Sequence, residues 1–324
     1  MNLDTKILKA LRDADTMSGA ELADEAGVSR AAIWARIEEL RAAGYEIEAN
    51  PHQGYRLVSS PDALHADDLL ARLTDTKVIG RDVRVFSETG STNDIIEKLA
   101  RDGAREGVVV FAESQSRGRG RMGRKWESPS GKGLWFSLLL RPEMHPLAAT
   151  RITVAAATAL SRSIRRFSGV KVQIKWPNDL LVDGRKLVGI LTEMSAELDC
   201  VRYVILGIGV DVNIAEEELP EELRAIATSV RIESGNEIDR PGLAAAILRE
   251  LDAEYSRLNR DGFKSIAEDW ESQCVTLGRN VTIDIGERRI EGRAESLDED
   301  GALMVRTRFG QLERIIGGDV SLEK

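Results

Sequence analysis

The sequence predicts an α+β (mixed α/β) protein in three parts, and three patterns indicate this division. Residues 1–60 show three short helical patterns followed by a hairpin pattern. Residues 64–273 alternate apolar strand-like runs with long helical patterns, which is typical of a mixed sheet packed against helices. Residues 275–324 show strand patterns only, with turns at Gly286 and Asp300-Gly301, and predict a small SH3-like β-barrel. Residues 59–62, Ser-Ser-Pro-Asp, are the expected linker between the first two parts.

The bulk composition indicates a folded chain without a membrane segment. The 324 residues are 42% hydrophobic and 31% charged, which is ordinary for a folded protein. No apolar run is long enough to span a membrane, and the N-terminus lacks the profile of a signal peptide. Two cysteines without metal-ligand spacing and three scattered histidines argue against structural zinc or a disulfide framework. These features predict a protein of the reducing cytoplasm that carries no structural metal.

The first part is predicted to be a winged helix-turn-helix. Its first helix covers residues 4–14, its second opens at Ser18 with Glu21 as a capping box, and its third is capped by Ser29 and runs to residue 43. The third helix has one apolar face, made by Ile33, Ile37 and Leu40. Strand patterns at 45–49 and 54–58 flank a turn and form the wing, so the third helix would enter a major groove.

DNA binding by this part is expected to depend on a local cluster of side chains. Residues 1–58 contain seven Lys/Arg and ten Asp/Glu, and the formal net charge of the chain is −9. The electrostatic contribution to DNA affinity should therefore be modest, and a general nucleic-acid binder is disfavoured. The candidate DNA-binding residues are Ser29, Arg30, Ala31, Trp34 and Arg36, with Arg56 on the wing. A winged helix that contacts protein instead is the alternative.

The most informative stretch is residues 115–126, Gln-Ser-Arg-Gly-Arg-Gly-Arg-Met-Gly-Arg-Lys-Trp, named the basic loop below. It contains five positive charges, three glycines and no acid. Such a loop suits a carboxylate or phosphate, although a solvated loop or a nucleic-acid patch has the same composition. Its glycines also spell the G-x-G-x-x-G dinucleotide fingerprint. That fingerprint needs a helix directly after it, whereas a turn-rich stretch and a strand pattern at 134–140 follow here, so we reject it.

Two further motifs lie on predicted secondary structure. Residues 91–94, Ser-Thr-Asn-Asp, begin a predicted helix that ends near residue 101, and from position alone they form a helix cap, although they also suit a small polar ligand. Asp183-Gly184 predicts a two-residue hairpin in which Leu181 opposes Lys186 and Asp179 opposes Val188. Asp179 and Lys186 would then share one face of the hairpin. Further strands are expected at 83–87, 108–113 and 201–213, and helices at 148–167, 241–259 and 263–271.

Together, the separated motifs resemble those of the bifunctional biotin–protein ligases that also repress biotin operons. The resemblance covers nearly the whole chain and rests on Ser29-Arg-Ala-Ala-Ile33, Ser91-Thr-Asn93, residues 118–126, Lys175-Trp-Pro-Asn-Asp179, Arg185-Lys-Leu-Val-Gly-Ile190 and the C-terminal β unit. It implies that residues 1–60 bind DNA, that 64–273 form a catalytic domain of the biotin/lipoate ligase type, which is class II synthetase-like, and that 275–324 form its C-terminal domain. It also implies ATP-dependent formation of biotinyl-5'-AMP and transfer of biotin to a lysine of a carrier domain.

The resemblance assigns a role to each candidate site residue. Lys186 and Arg121 would be catalytic, and the biotin-binding set would be Ser91, Thr92, Asn93, Gln115, Arg119, Gly120, Arg121 and Lys186. The ATP or adenylate set would be Gly118, Trp126, Asp179 and Asp211, with Asp179 placing Mg²⁺ on the triphosphate. A core position for Trp126 is as compatible with the sequence. Asp211 departs from the family, which usually reads Gly-Ile-Asn-x-Asn where this chain has Gly209-Val-Asp-Val-Asn213.

The resemblance also implies partners and leaves alternatives. The expected partners are biotin, ATP, a biotin carboxyl carrier protein of an acetyl-CoA or related carboxylase, operator DNA and a second copy of the chain. A ligand-sensing transcription factor without ligase activity is one alternative, and it would not need Lys186. A lipoate–protein ligase is another, although lipoyl enzymes do not usually carry this basic loop or an N-terminal winged helix.

Overall fold

The computed structural model describes residues 2–322 and confirms the mixed α+β class and the order of the three parts. The N-terminal unit contains helices α1 (Leu3–Asp13), α2 (Gly19–Ala26) and α3 (Arg30–Ala42), followed by strands β1 (Glu46–Asn50) and β2 (Gly54–Ser59). Ser18 accepts from Glu21 N while the Glu21 carboxylate accepts from Ser18 N, so the predicted capping box is confirmed. The strands pair antiparallel as the wing.

Ion pairs join the winged helix to α4 (Ala66–Arg72), a helix that the sequence did not predict. Asp68 on α4 is 1% exposed and pairs with Arg12 of α1 and, at 2.9 Å, with Arg72. The expected linker is also anchored, because Asp62 accepts from the buried Arg240 guanidinium at 2.7 Å. The segment between the winged helix and the central unit is therefore anchored twice, by Asp68 to α1 and by Asp62 to Arg240.

The central unit is built on a seven-stranded sheet. Its strands are β3 (Asp82–Thr89), β4 (Val108–Gln115), β5 (Gly133–Leu140), β6 (Gln173–Lys175), β7 (Asp179–Val182), β8 (Arg185–Ala196) and β9 (Val201–Asp211). Their order across the sheet is β3-β4-β5-β9-β8-β7-β6. Only β3 and β4 run parallel; the other neighbours are antiparallel.

Helices cover both faces of this sheet, because alternate side chains of β4 are apolar on both faces and must be buried. Val109 and Phe111 point into the large core, with α6 (Thr150–Ser168) and α8 (Arg240–Asp261). Val108 and Val110 point the other way, into a smaller core with α5 (Thr92–Arg101). The shorter helices are α7 (Val230–Ser234) and α9 (Lys264–Glu271). Residues 2–322 contain no helix that is both long and apolar enough to cross a membrane.

The β7–β8 hairpin confirms the predicted turn but not the whole predicted register. Asp183 and Gly184 both have positive φ, 47° and 83°, as this two-residue turn requires. Leu181 opposes Lys186 as expected. Beyond it an irregularity shifts the pairing, so Asp179 opposes Gly189 and the predicted Asp179–Val188 pair is wrong. The extra residue nevertheless leaves Asp179 beside Lys186.

The C-terminal unit is a five-stranded antiparallel sheet. Its strands are β10 (Asn280–Ile285), β11 (Arg288–Leu297), β12 (Leu303–Thr307), β13 (Leu312–Ile315) and β14 (Asp319–Leu322), in the order β13-β12-β11-β10-β14. Its buried side chains, such as Val281, Leu303 and Ile315, are continuous with the core of the central unit. Asp319 of β14 pairs with Arg124, which places β14 against the basic loop.

Candidate active site

Two adjoining cavities lie at the end of the central sheet. The inner cavity has about 470 Å³ of space, including its mouth, and lies between the start of α5, the basic loop and strands β8 and β9. The outer cavity has about 1700 Å³ of space, including the open solvent at its mouth, and extends from the basic loop to β14 and the segment after β9. Five residues line both cavities and therefore mark their junction: Gly120, Arg121, Trp126, Asn178 and Lys186.

Trp126 forms the partition between the cavities. Its indole lies over Gly189 and Gly209, which face each other across β8 and β9. A Cβ atom at Gly189 would lie 2.6 Å from the indole ring, and one at Gly209 would lie 2.5 Å from it. Any side chain at either glycine would therefore displace Trp126. The Trp126 Nε1–H is buried without a hydrogen-bond acceptor among residues 2–322.

The inner cavity has a wall of hydrogen-bonding side chains. Gln115 Oε1 accepts from Thr92 N at 2.9 Å, and Gln115 Nε2 donates to Ser128 at 3.0 Å. Thr92 and Ser137 hydroxyls lie 2.6 Å apart, and Asn93 Nδ2 donates to Glu193 at 2.6 Å. These mutual bonds fix the orientation of the amides and hydroxyls before any ligand arrives.

Ser91 corrects one expectation from the sequence. It is the residue before α5, but its side chain makes no capping hydrogen bond. The side chain is buried and lines the inner cavity with Thr92 and Asn93. The cap interpretation of this motif is therefore wrong, and the alternative, a polar wall for a small ligand, fits the geometry.

Acidic residues from other elements neutralise most of the basic loop. Arg119 pairs with Asp94 at 2.5 Å and with Glu193 at 3.4 Å. Arg124 pairs with Asp319 of β14, and Lys125 pairs with Glu127 at 2.6 Å. Arg121 differs, because it has no salt bridge within residues 2–322 and donates instead to Asn178 Oδ1 at 3.0 Å. Burial lowers the pKa of Arg121, although Asp179 and Asp319 oppose this shift.

Lys186 occupies the junction together with Asp179. Lys186 Nζ lies 2.7 Å from Asp179 Oδ1 and 5.2 Å from the centre of a Trp126 ring. That carboxylate oxygen is buried and has no hydrogen bond of good geometry, so the contact is chiefly electrostatic. No group of three or more His, Cys, Asp or Glu that could hold a metal occurs within the described range. A lone carboxylate could still contribute one oxygen to Mg²⁺ that arrives on a triphosphate.

Asp211 ends β9 in the wall of the outer cavity. Its side chain is 8% exposed, and burial raises its pKa well above the ordinary range of a carboxyl, with Lys186 opposing part of the shift. A charged carboxylate here would have lost most of its water without gaining a partner. The wall of the outer cavity thus contains a desolvated acid.

The structure brings together nearly all the predicted site residues. The whole predicted biotin-binding set lines the inner cavity, and Trp126, Asp179 and Asp211 line the outer one. Gly118 lines neither cavity. A Cβ atom there would lie 2.3 Å from Trp126 O, so Gly118 permits close packing of the loop on itself.

Other residues of the site were missed. They include Ser137, Asn178 and Glu193, the residues between Ile214 and Ala227 that cover the outer cavity, and Asp284 and 318–321 from the C-terminal unit. Asn178 belongs to the Lys175-Trp-Pro-Asn-Asp179 motif. The remaining residues come from distant parts of the chain and had no local signal.

The candidate DNA-binding residues divide into two groups. Arg30, Ala31 and Trp34 are exposed on α3, and Trp34 is 59% exposed. Ser29 accepts from Ala32 N and so caps α3. Arg36 binds both carboxylate oxygens of Asp4 and also pairs with Glu39. The Arg36 guanidinium thus joins α3 to α1, and the role of Arg36 in DNA binding stays a prediction.

Comparisons with known proteins agree with this architecture. Residues 85–211 match the model of the "Biotin/lipoate A/B protein ligase family", residues 4–56 match "HTH domain" and residues 276–323 match "Biotin protein ligase C terminal domain". The bifunctional ligase/repressor BirA of Bacillus spizizenii is 40% identical over 95% of this chain and 94% of that protein. The BirA of Escherichia coli K12 is 33% identical over 98% of this chain and 96% of that protein.

A solved structure gives the same result. The biotin protein ligase of Aquifex aeolicus in complex with biotin and ATP superimposes with a TM-score of 0.65 at 29% identity, over 75% of this chain and 99% of that chain. The fold and the paired cavities thus define a ligase of the biotin/lipoate class. The chain belongs to the biotin protein ligase family, together with the bifunctional ligase/repressors, and the resemblance found in the sequence is confirmed.

Proposed function

We propose that this chain is an ATP-dependent biotin–protein ligase and a biotin-responsive transcriptional repressor. The observation that carries the proposal is the junction between the cavities, where Arg121 and Lys186 line both. Biotin in the inner cavity and ATP in the outer cavity would bring a carboxylate and an α-phosphate together there. Two cationic groups at this point offset the repulsion between the two anions.

The reaction follows from this placement. A biotin carboxylate oxygen attacks the α-phosphorus, the bond to the β-phosphate breaks, and pyrophosphate leaves with its electron pair. Lys186 stabilises the negative charge that develops on the α-phosphoryl oxygens, and Arg121 orients the carboxylate. A lysine amine of the carrier then attacks the acyl carbon, loses a proton and releases AMP. Mg²⁺ would neutralise the phosphates, with Asp179 as the candidate protein ligand.

The site residues are assigned as follows. Ser91, Thr92, Asn93 and Gln115 hold the biotin head group by hydrogen bonds, while Arg119, Gly120 and Arg121 close over it. Trp126, Asp179 and Asp211 contact the nucleotide. These roles fit domain bounds of 1–60, 64–273 and 275–324, with the C-terminal unit completing the outer cavity.

The partners follow from the proposed reaction and from the sheet. A carboxyl carrier domain is needed to accept biotin. A second copy of the chain could pair along β8, since its residues beyond Ile190 pair only with β9 and leave the other edge open. Two free cysteines are compatible with the reducing cytoplasm. Operator DNA would contact the exposed residues of α3.

Biotin-dependent exchange between ATP and pyrophosphate tests the first half-reaction directly. We expect exchange that requires biotin, ignores lipoate and collapses in Lys186→Ala. Exchange supported by lipoate would identify a lipoate ligase. Biotin binding without exchange would identify a sensor, in which the winged helix carries the function.

A further inference from the structure

Asp211 stands apart from the other acids of the site because it has no partner. Its side chain makes no hydrogen bond or salt bridge to any residue within 2–322, although more than nine-tenths of its surface is buried. Its neighbours in β9 and beyond, Val210 and Val212, are fully buried and apolar. The carboxyl group instead forms part of the lining of the outer cavity. A largely buried carboxyl group that faces a cavity without a protein partner is a candidate to bind a ligand in that cavity.

The nearby polar groups are already engaged. Lys186 is paired with Asp179 at 2.7 Å. Asn213 donates to Ile238 O at 2.8 Å and accepts from Ile238 N at 2.9 Å, so its amide is saturated on both sides. Asn213 cannot satisfy Asp211 without giving up a bond to Ile238, and Lys186, whose charge is paired with Asp179, makes no hydrogen bond to Asp211.

The Asp211 carboxyl can be ionised or neutral, and the chemistry of the ligand determines which form suits the site. A carboxylate only accepts hydrogen bonds, and a negative charge beside a triphosphate would weaken nucleotide binding. A neutral carboxylic acid offers a donor as well as an acceptor. Only the neutral form can donate a hydrogen bond to the nucleotide without placing a negative charge beside it.

We propose that Asp211 acts as a neutral acid in the nucleotide site, where its hydroxyl donates a hydrogen bond to the bound nucleotide. Loss of its proton at higher pH then weakens ATP binding and leaves biotin binding in the inner cavity unchanged. The proposal rests on the assignment of the outer cavity to the nucleotide. It makes this residue a determinant of nucleotide affinity and of its pH range.

Other ionisable groups surround the outer cavity and set the background for this titration. They are Lys186 on β8, Asp179 on β7, Lys175 on β6, Arg121, Arg124, Lys125 and Glu127 on or beside the basic loop, Glu218 after β9, and Asp284 and Asp319 in the C-terminal unit. Lys186 is the group whose charge acts on Asp211 against its protonation. A variant that removes only the Asp211 titration separates its contribution from the rest.

The test measures the dissociation constant of ATP with Mg²⁺, without biotin, from pH 5.5 to 9.5. The proteins are wild type, Asp211→Asn, Asp211→Ser and the matched control Asp102→Asn, which changes an exposed acid at the end of α5. The ratio of wild-type to Asp211→Asn constants removes the ionisation of ATP itself. This ratio should rise towards tenfold per pH unit above the pKa of the carboxyl. Asp211→Ser should follow Asp211→Asn, and Asp102→Asn should follow wild type.

A ratio that does not change with pH would overturn the proposal, as would a wild-type affinity that improves relative to both Asp211 variants at high pH. Biotin affinity, measured without ATP, serves as the internal reference. An equal pH dependence of biotin binding would show a general effect on folding and would also overturn it. Wild-type protein that binds biotin but never ATP would refute the proposed function itself, which distinguishes the two failures.

Discussion

Lys186 Nζ lies 2.7 Å from Asp179 Oδ1 at the junction of the two cavities. The lysine is therefore held in place before any nucleotide arrives, and a phosphate that enters must compete with Asp179 for its charge. Asp179 would be the residue that holds Mg²⁺ on a triphosphate, and Lys186 would be the residue that faces the phosphate. The pair thus links the candidate metal ligand to the candidate catalytic cation.

Replacement of Lys186 by alanine should act on the chemical step. Removal of one preorganised donor typically lowers kcat by about 10²–10³-fold. We expect a loss of this size in the rate of adenylate formation, with a much smaller change in biotin affinity. Single-turnover measurement of biotinyl-5'-AMP checks this, and Lys171→Ala, at an exposed lysine, is the control. Equal losses in rate and in biotin affinity would contradict a role confined to the reaction.

Mutations at two glycines of β9 should affect the ligands of the two cavities differently. At Gly209 a Cβ atom would meet Trp126 Nε1 at 2.5 Å, and at Gly207 it would meet Asn93 Oδ1 at 2.3 Å. Such overpacking typically costs roughly 1–3 kcal/mol. Gly207→Ala should weaken biotin binding more than ATP binding, whereas Gly209→Ala should weaken the binding of both ligands, because the displaced Trp126 lines both cavities. Titration of each ligand checks this, and identical effects of both variants on both ligands would refute the partition by Trp126.

The two arginines of α3 should differ in their effect on DNA. Arg30→Ala should weaken binding to the upstream region of the biotin genes and lower the salt dependence by about one phosphate contact. Arg36→Ala should instead lower the thermal stability of the winged helix, because Arg36 joins α3 to Asp4 of α1. Binding at several salt concentrations, with melting curves, checks both. An unchanged melting temperature together with lost DNA binding in Arg36→Ala would show that this ion pair opens on DNA.

Arg240 should be a major contributor to stability. Its guanidinium is 2% exposed and binds Asp62 at 2.7 Å and Glu113 at 2.8 Å. Removal of one partner from a buried ion pair typically costs roughly 3–5 kcal/mol, because the remaining charge stays buried. Here that applies to Glu113, whose side chain is 16% exposed, whereas Asp62 is 47% exposed and would be solvated, so we expect a loss at the lower end of this range. Arg240→Ala should therefore lower the melting temperature far more than Arg202→Ala, in an exposed pair with Glu197. Similar melting temperatures for the two variants would refute this.

Asp211 should also make the stability of the folded protein depend on pH, with stability falling as pH rises. Burial raises its folded-state pKa, so the folded protein holds this proton more tightly than the unfolded chain. Its contribution to stability is complete below the unfolded pKa and is lost as pH rises towards the folded pKa. Asp211→Asn should therefore gain stability relative to wild type as pH increases. Melting curves at pH 5 and pH 8 check this, and a difference that does not grow with pH would count against a raised pKa.

The sequence predicted those features that depend on neighbouring residues. The Ser18–Glu21 capping box and the Asp183-Gly184 turn are complete within a few residues, so their patterns were sufficient. Helix α4 has seven residues, too few for a helical period to stand out. The register shift in the β7–β8 hairpin adds a single residue, and an alternating pattern does not show where such a residue falls.

The candidate site was predictable where its residues stand in short motifs. Glu193 and Asp319 were missed because an acid on a strand is usually exposed to solvent, and only the folded chain brings these two to Arg119 and Arg124. Ser91 was assigned a cap because its position favours one. Its actual orientation depends on the cavity beside it, which no local pattern describes.

The outer cavity has a consequence for the order in which the protein is made. Asp284 and residues 318–321 form part of its wall, and Asp319 binds Arg124 of a loop almost two hundred residues earlier in the chain. A ribosome therefore synthesises β14 long after it has made the basic loop and the junction residues. A nascent chain can complete the winged helix early, but the outer cavity closes only when this late strand has left the exit tunnel.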